Sequence, residues 1–229
     1  MPVLALDTSA AVAVALTDDT GALLAARSDA QQRHHAELLT PMIAAVLAEA
    51  GVDRRELTSV VVGTGPAPFT GLRVGLVTAR TLALALGIPA HGVPSLDAVA
   101  LRASHVLPPG TDALVATDAR RREVYWALYR LVAPGRIEVL AGPEVASPPD
   151  VAADPRTAGA VALGRGAALY ADVLGTTPLD ALDLLDPDPA ELARLALARR
   201  AAGEALGTEP LYLRRPDAVP QAARKRVLG

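Results

Sequence analysis

Twice in this chain a short apolar run ends in an aspartate, turns through polar residues and returns as a second apolar run. Val3 to Leu6 lead into Asp7-Thr8-Ser9 and Ala10 to Leu16 return; after Asp18-Asp19-Thr20-Gly21, Leu23 to Arg27 continue. In the second half Ala113 to Thr117 lead into Asp118-Ala119-Arg120, and Glu123 to Val132 return until Pro134-Gly135, with Val139 beginning a third run. Apolar runs bounded by Asp, Gly and Pro are strand and hairpin signals. One grammar in both halves makes a duplicated unit the economical reading, although aspartate after a strand is also ordinary turn chemistry.

Helical patterns separate these hairpins, so the expected class is α/β. Arg33 to Ala50 places Leu38, Leu39, Met42, Ile43, Val46 and Leu47 on one face and stops at Gly51. Pro41 predicts either a kink or a start there with Thr40 as cap. Leu57 to Val62 reads as a strand buried on both faces. Leu72 to Leu86 and Ser95 to Ala103 read as helices, and Pro108-Pro109-Gly110 marks a boundary. In the second half, loops punctuated by Pro148-Pro149 and Asp154-Pro155 precede a strand at Val161 to Leu163, the turn Gly164-Arg165-Gly166 and a helix over Ala167 to Leu174. Glu191 to Ala205 reads as an amphipathic helix entered through Asp188-Pro189. The expected division is 1–107, a smaller second domain over 108–215 whose helix 189–206 packs back on the first, and a flexible tail over 216–229.

The segment Gly63 to Arg73 sits between a strand and a helix, where phosphate loops occur. It lacks the Gly-Lys-Ser/Thr ending of a Walker loop, and Pro68 stands where a dinucleotide fingerprint needs glycine. The following helix repeats Gly71, Gly75, Ala79 and Ala83 every fourth residue and is apolar on its other faces. It must be covered on several sides, by its own core or by another chain.

Composition removes several chemistries. There is no cysteine, so disulfides, thiolate zinc sites and cysteine nucleophiles are excluded. Only 3% of residues are aromatic, which argues against base stacking as the main activity. A net charge of −3 argues against wrapping nucleic acid unaided but permits a local basic patch. No uncharged apolar stretch reaches the ~18 residues of a membrane span, so no membrane is expected. Met1-Pro2-Val3-Leu4 lacks a basic leader, so no signal peptide is expected and the cytoplasm is the expected compartment.

The segments Gly65 to Gly75, Asp118-Ala119-Arg120-Arg121-Arg122-Glu123-Val124-Tyr125 and Pro210-Leu211-Tyr212-Leu213-Arg214 resemble the TsaB (YeaZ) family, as do Leu4-Ala5-Leu6-Asp7-Thr8-Ser9 and His35-Ala36-Glu37-Leu38-Leu39. The resemblance runs along essentially the whole chain. It departs at Ala67-Pro68, where the family usually has Gly-Ser. The family implies an actin-like/Hsp70-like ATPase fold of two related α/β domains, each opening with a hairpin. It also implies a part in making N6-threonylcarbamoyladenosine in tRNA, on the adenosine 3′ of the anticodon. TsaB there pairs with its paralogue TsaD, which performs the transfer, and the ATPase TsaE joins them.

By that resemblance this chain is expected to be a non-catalytic dimerisation or scaffold subunit that meets tRNA through the complex. The paralogue carries a His-x-x-x-His metal pair; the matching positions here are Ser95 and Val99, which cannot hold a metal. His34, His35, His91 and His105 are read as surface or helix-end residues. No nucleophile signature surrounds any serine. The resemblance places Asp7, Thr8, Asp118, Gly164 and Gly166 in a vestigial nucleotide cleft. No cofactor is expected to be required by this chain, with ATP left open at the level of the complex. The alternative is an autonomous actin-fold ATPase or phosphotransferase.

The family's dimer contact is a four-helix bundle. That implies an interface from His35, Leu38, Leu39, Met42, Ile43 and Val46 on one helix and Leu72, Arg73, Gly75, Leu76, Ala79, Arg80 and Ala83 on the next. The same surface implies a homodimer when the chain is alone. Arg214, Arg215, Arg224, Lys225 and Arg226 form a basic tail that is read as solvated, with contact to the tRNA backbone as the other reading.

Overall fold

Strands apolar on both faces need cover on both sides, and the first sheet has it. A computed structural model of the protein describes residues 1–29, 35–175 and 184–214. In it β1 (Val3–Asp7), β2 (Val12–Thr17) and β3 (Leu23–Asp29) form an antiparallel meander. β4 (Ser59–Gly63) pairs parallel with β1 and β5 (Ala90–Val93) parallel with β4, giving the order β3-β2-β1-β4-β5. Every residue of β1, β2 and β4 is buried. Leu4 and Leu6 share one core with α1 (His35–Ala50) and α2 (Phe69–Leu86). Val3 and Ala5, pointing the other way, share a second core with α3 (Ser95–Ala103) and with α7 (Pro189–Ala201), whose range comes late in the chain.

The second sheet repeats the plan. β6 (Asp112–Asp118), β7 (Val124–Ala133) and β8 (Arg136–Ala146) form a meander, and β9 (Val161–Leu163) returns parallel to β6. Its order, β8-β7-β6-β9, matches β3-β2-β1-β4 strand for strand. α4 (Pro148–Ala153), α5 (Arg165–Leu169) and α6 (Ala171–Leu174) lie on its outer side. The inner side packs on α3, which therefore serves both sheets: Ala98 and Leu101 meet the first, Leu96, Val99, Ala100 and Ala103 the second.

Several element limits differ from the pattern. α1 runs unbroken through Pro41. α2 begins at Phe69 and ends where Gly87 turns left-handed (φ 68°), its N–H bonding to Ala83 and Leu84 carbonyls. α7 stops at Ala201, before the expected 205–206. The helix expected over Ala167 to Leu174 is two short turns, interrupted at Tyr170. Pro148-Pro149 begins a helical turn capped by Ser147, since proline suits a first turn. The tail over 216–229, with Arg215, Arg224, Lys225 and Arg226, lies outside the described residues, as does His34.

Candidate functional site

The residues expected in a nucleotide cleft lie at the end of β1 (Asp7, Thr8), the end of β6 (Asp118) and the start of α5 (Gly164, Gly166), and the polar ones already have partners within the chain. Asp7 is 1% exposed. Its Oδ1 accepts from the Ser9 N–H (2.7 Å) and Ser9 hydroxyl (2.6 Å), and its Oδ2 accepts from the Ser95 hydroxyl (2.6 Å). Ser95 in turn accepts from the Gly65 N–H at 3.1 Å. Burial pushes the Asp7 carboxyl above its ordinary value, against the Ser9 and Ser95 bonds that pull it down. A Cβ on Gly63 would lie 1.8 Å from Asp7 Oδ2, so glycine there lets the carboxylate sit against β4.

Thr8 is committed to α2. Its hydroxyl donates to the Gly71 carbonyl (2.8 Å) and accepts from the Gly75 N–H (3.1 Å). Asp118 accepts from the Arg120 N–H at 2.8 Å and pairs with the Arg120 guanidinium at 3.2 Å. Gly164 and Gly166 lie where a Cβ would come 2.4 Å from the Ala116 carbonyl oxygen and 2.8 Å from the Thr117 carbonyl carbon. Their smallness serves packing of α5 on β6. A metal–phosphate needs a carboxylate that faces solvent; Asp7 is sealed from it, so Asp7 as it stands does not fit that group.

The expected interface residues divide sharply. Leu39, Val46, Leu72, Gly75, Leu76, Ala79 and Ala83 are buried inside the chain's own first core, which corrects their reading as partner contacts. The small-residue strip of α2 faces β1 because a Cβ at Gly75 would stand 2.5 Å from Thr8 Oγ1; the close approach is to this chain's own strand. Leu38, Met42 and Ile43 are half-buried against the same core. The His35 side chain lies outside the described residues. The exposed stripe of α2 is Phe69, Arg73, Val77, Arg80 and Leu84, at spacings of four, four, three and four. Leu84 is 83% exposed and Val77 61%. Beside it α1 exposes Pro41, Ala44, Ala45 and Ala48.

Arg73 and Arg80 are held by a strap formed by Leu206 to Arg214. Arg80 donates to the Thr208 hydroxyl (2.8 Å) and carbonyl (2.7 Å), and Arg73 to the Tyr212 hydroxyl (3.0 Å). Arg73 also stacks on Phe69 at 3.7 Å, and Phe69 meets Tyr212 with ring centroids 5.2 Å apart. The strap bonds to β5 and to the loop after β4 through Gly92 N–H to Leu206 (3.2 Å) and Leu211 N–H to Thr64 (2.9 Å). Its end reaches the second lobe, where Arg214 pairs with Glu123 and donates to the Ala119 carbonyl at 3.0 Å.

Between strap and second lobe lies a cavity of about 180 Å3, lined among others by Pro68, Phe69, Arg120, Arg121, Tyr125 and Arg214. Arg120, Arg121 and Arg122 are consecutive left-handed residues (φ 63°, 54° and 62°). Such backbone costs an L-residue roughly 1–2 kcal/mol each.

The family described as "TsaD: tRNA N6-adenosine threonylcarbamoyltransferase" matches residues 23–168. The chain is 31% identical to the tRNA threonylcarbamoyladenosine biosynthesis protein TsaB of Bacillus subtilis, covering 95% of this chain and 96% of that protein. It belongs to the TsaB family. An uncharacterized Mycobacterium leprae protein is 44% identical over 96% of this chain, which spans only 57% of that relative. The solved structure of YeaZ from Pseudomonas aeruginosa superposes with a TM-score of 0.78 at 31% identity, covering 93% of this chain and 99% of that one. The two-sheet α/β fold is thus that of YeaZ.

In this TsaB-family chain Ser95 and Val99 are fully buried in α3, one bonding Asp7 and the other packing on the second sheet. Among the described residues no three His, Cys, Asp or Glu side chains gather as metal ligands. His91 is half-buried on β5, where burial, helped by Arg200, holds its imidazole below the usual value. His105 lies 3.6 Å from buried Glu191. Of the described helices α2 alone is long and apolar enough to cross a membrane by length and composition, and its inner face lies on the first sheet.

Three features were not singled out from the sequence: the Ser95 bond to Asp7, the strap's hold on the α2 arginines, and the inward turn of the glycine strip. Tyr212 lies in a quoted motif, but only its contact with Arg73 gives it a role.

Proposed function

We propose that the chain is a non-catalytic partner subunit in tRNA N6-threonylcarbamoyladenosine synthesis, docking a TsaD-type transferase through the outer face of α1 and α2. TsaE joins that pair, and the same face closes a homodimer when the partner is missing. The reading is carried by the exposed stripe from Phe69 to Leu84, where Val77 and Leu84 stand in solvent beside the alanines of α1. An apolar helix pair with small neighbours suits close packing against two further helices. Large exposed apolar side chains in a row mark an interaction surface more than isolated ones do.

The chemistry inside the chain supports a supporting role. Asp7 has both oxygens engaged by Ser9 and Ser95 and is sealed from solvent. Ser95 and Val99 supply no imidazole. The chain by itself therefore requires no cofactor on this reading, and ATP acts at the level of the complex.

The test is reconstitution with the TsaD of the same organism. Wild type alone is expected to transfer no threonylcarbamoyl group, and to support transfer once TsaD and TsaE are added. Val77→Asp and Leu84→Asp are expected to abolish co-purification and to turn the isolated homodimer into a folded monomer with an unchanged circular-dichroism spectrum, because both side chains are exposed on this face. A wild-type chain that neither binds TsaD nor raises transfer would overturn the reading. So would turnover of ATP by the chain alone that vanishes in Asp7→Asn.

A further inference from the structure

Two arginines stand on the exposed stripe of α2, and the strap treats them differently. Arg80 is spent: it donates to the Thr208 hydroxyl and carbonyl, and Glu209 answers its charge at 3.4 Å. Arg73 is held but not neutralised. Its Nε donates to the uncharged Tyr212 hydroxyl at 3.0 Å, and its guanidinium lies over the Phe69 ring at 3.7 Å. Among the described residues no carboxylate pairs with Arg73, and its two terminal nitrogens donate to none of them. The ring and the phenol fix the plane of the group. Its outer edge is therefore preorganised for a carboxylate, which accepts two parallel N–H bonds.

The face around Arg73 supplies no such carboxylate of its own. α2 contains no acidic residue. α1 carries Glu37 and Glu49; Glu49 pairs with Arg27, and Glu37 is not free either. Glu209 on the strap is taken by Arg80. A second copy of this chain docking through the same face therefore brings another unanswered Arg73 and no spare carboxylate. Covering a guanidinium without pairing it costs free energy, whereas a desolvated, doubly hydrogen-bonded pair across an interface can stabilise the complex. One charge can thus admit one partner and penalise another.

We infer that Arg73, fixed by Phe69 and Tyr212, selects the partner on this face: it takes a carboxylate of the TsaD-type transferase, and a second copy of this chain offers none. This rests on the docking face given under Proposed function and adds the chemistry of the group that face meets. Val77 and Leu84 serve either partner alike; Arg73 separates them. Tyr212 is a positioning residue, since it acts from the strap through Arg73.

The experiment measures two dissociation constants by sedimentation, one for the complex with the same organism's TsaD and one for the homodimer. The chains compared are wild type, Arg73→Ala, Arg73→Glu, Arg73→Lys and Tyr212→Phe. Arg73→Ala should weaken the TsaD complex roughly 30-fold or more and leave the homodimer unchanged or tighter. Arg73→Glu should weaken the complex further, and changing one Asp or Glu on the docking face of TsaD to Lys should restore it. Arg73→Lys keeps the charge without the planar fork and should fall between wild type and Arg73→Ala. Tyr212→Phe removes the same strap bond but keeps the charge, so it should cost the complex less than Arg73→Ala; an equal loss would mean that the partner reads the strap, and would overturn the inference. Wild-type affinity for TsaD in both Arg73→Ala and Arg73→Glu also overturns it. So does equal weakening of complex and homodimer, which would make Arg73 a contact common to both. If the Arg73 variants bind TsaD as wild type does while Val77→Asp does not, the docking face stands and only selection by Arg73 fails. If wild type itself does not bind TsaD, the functional reading fails and the inference with it.

Discussion

Asp7 serves architecture: it ties β1 to α3 through Ser95, and Ser95 carries the link on to Gly65. Burial raises its pKa above 3.8. A carboxyl raised in the folded state contributes its stability fully below the unfolded value and loses it as pH climbs through the folded value. The stability of wild type relative to Asp7→Asn is therefore expected to fall as pH rises from below 3.8. Urea midpoints of the two proteins across that range check it, and a pH-independent difference would refute it. Thr8 gives a second test at this scale. Gly75→Ala brings a Cβ to 2.5 Å from Thr8 Oγ1 and is expected to cost about 1–3 kcal/mol. In a Thr8→Ala background that cost should shrink, as read by a double-mutant cycle.

At the scale of elements, α2 illustrates what periodicity conveys and what it withholds. Its existence and its glycine stop are legible, because a long apolar helical run followed by Gly87 has few alternatives. Its orientation is not. Small residues every fourth position permit close approach to any backbone, and the backbone that takes the offer is β1, fastened by the Thr8 hydroxyl. Arg73 and Arg80 likewise look like free rim charges until the strap is placed over them. Arg80→Ala removes its bonds to the Thr208 hydroxyl and carbonyl. Amide exchange over Leu206 to Leu211 is expected to quicken while the global melting temperature stays put. Unaltered exchange would mean that the backbone bonds to Thr64 and Gly92 hold the strap by themselves.

Across the whole molecule the two sheets are joined through α3. On its Asp97 a buried clamp closes: the Tyr129 hydroxyl of β7 donates at 2.7 Å, and the Arg199 guanidinium of α7 at 2.6 Å. One lobe supplies the phenol and the element packed on the other supplies the cation. Burial, reinforced by Asp97, pushes the Tyr129 phenol well above its ordinary value, so it remains a donor. Tyr129→Phe is expected to cost about 1–3 kcal/mol, because Asp97 loses one buried bond. Arg199→Ala, which leaves a buried carboxylate without its cation, is expected to cost about 3–5 kcal/mol. Thermal unfolding of both single variants and the double variant measures the coupling, and additive losses would show that Asp97 does not join the two.

The repeated strand–aspartate–hairpin pattern, the glycine stops and the family motifs depend on near neighbours along the chain. The sequence by itself therefore determined the α/β class, the two matching meanders and membership of the TsaB family. Which face of α2 points inward, whether Asp7 remains open to a ligand, and what Arg73 and Arg80 touch depend on residues far away in sequence. Thr8 reaches Gly75, Ser95 reaches Asp7, and Tyr212 reaches Arg73, each across a separation that no local period encodes. The tertiary structure decided those, because hydrogen bonding and close packing are settled only when distant segments compete for the same space.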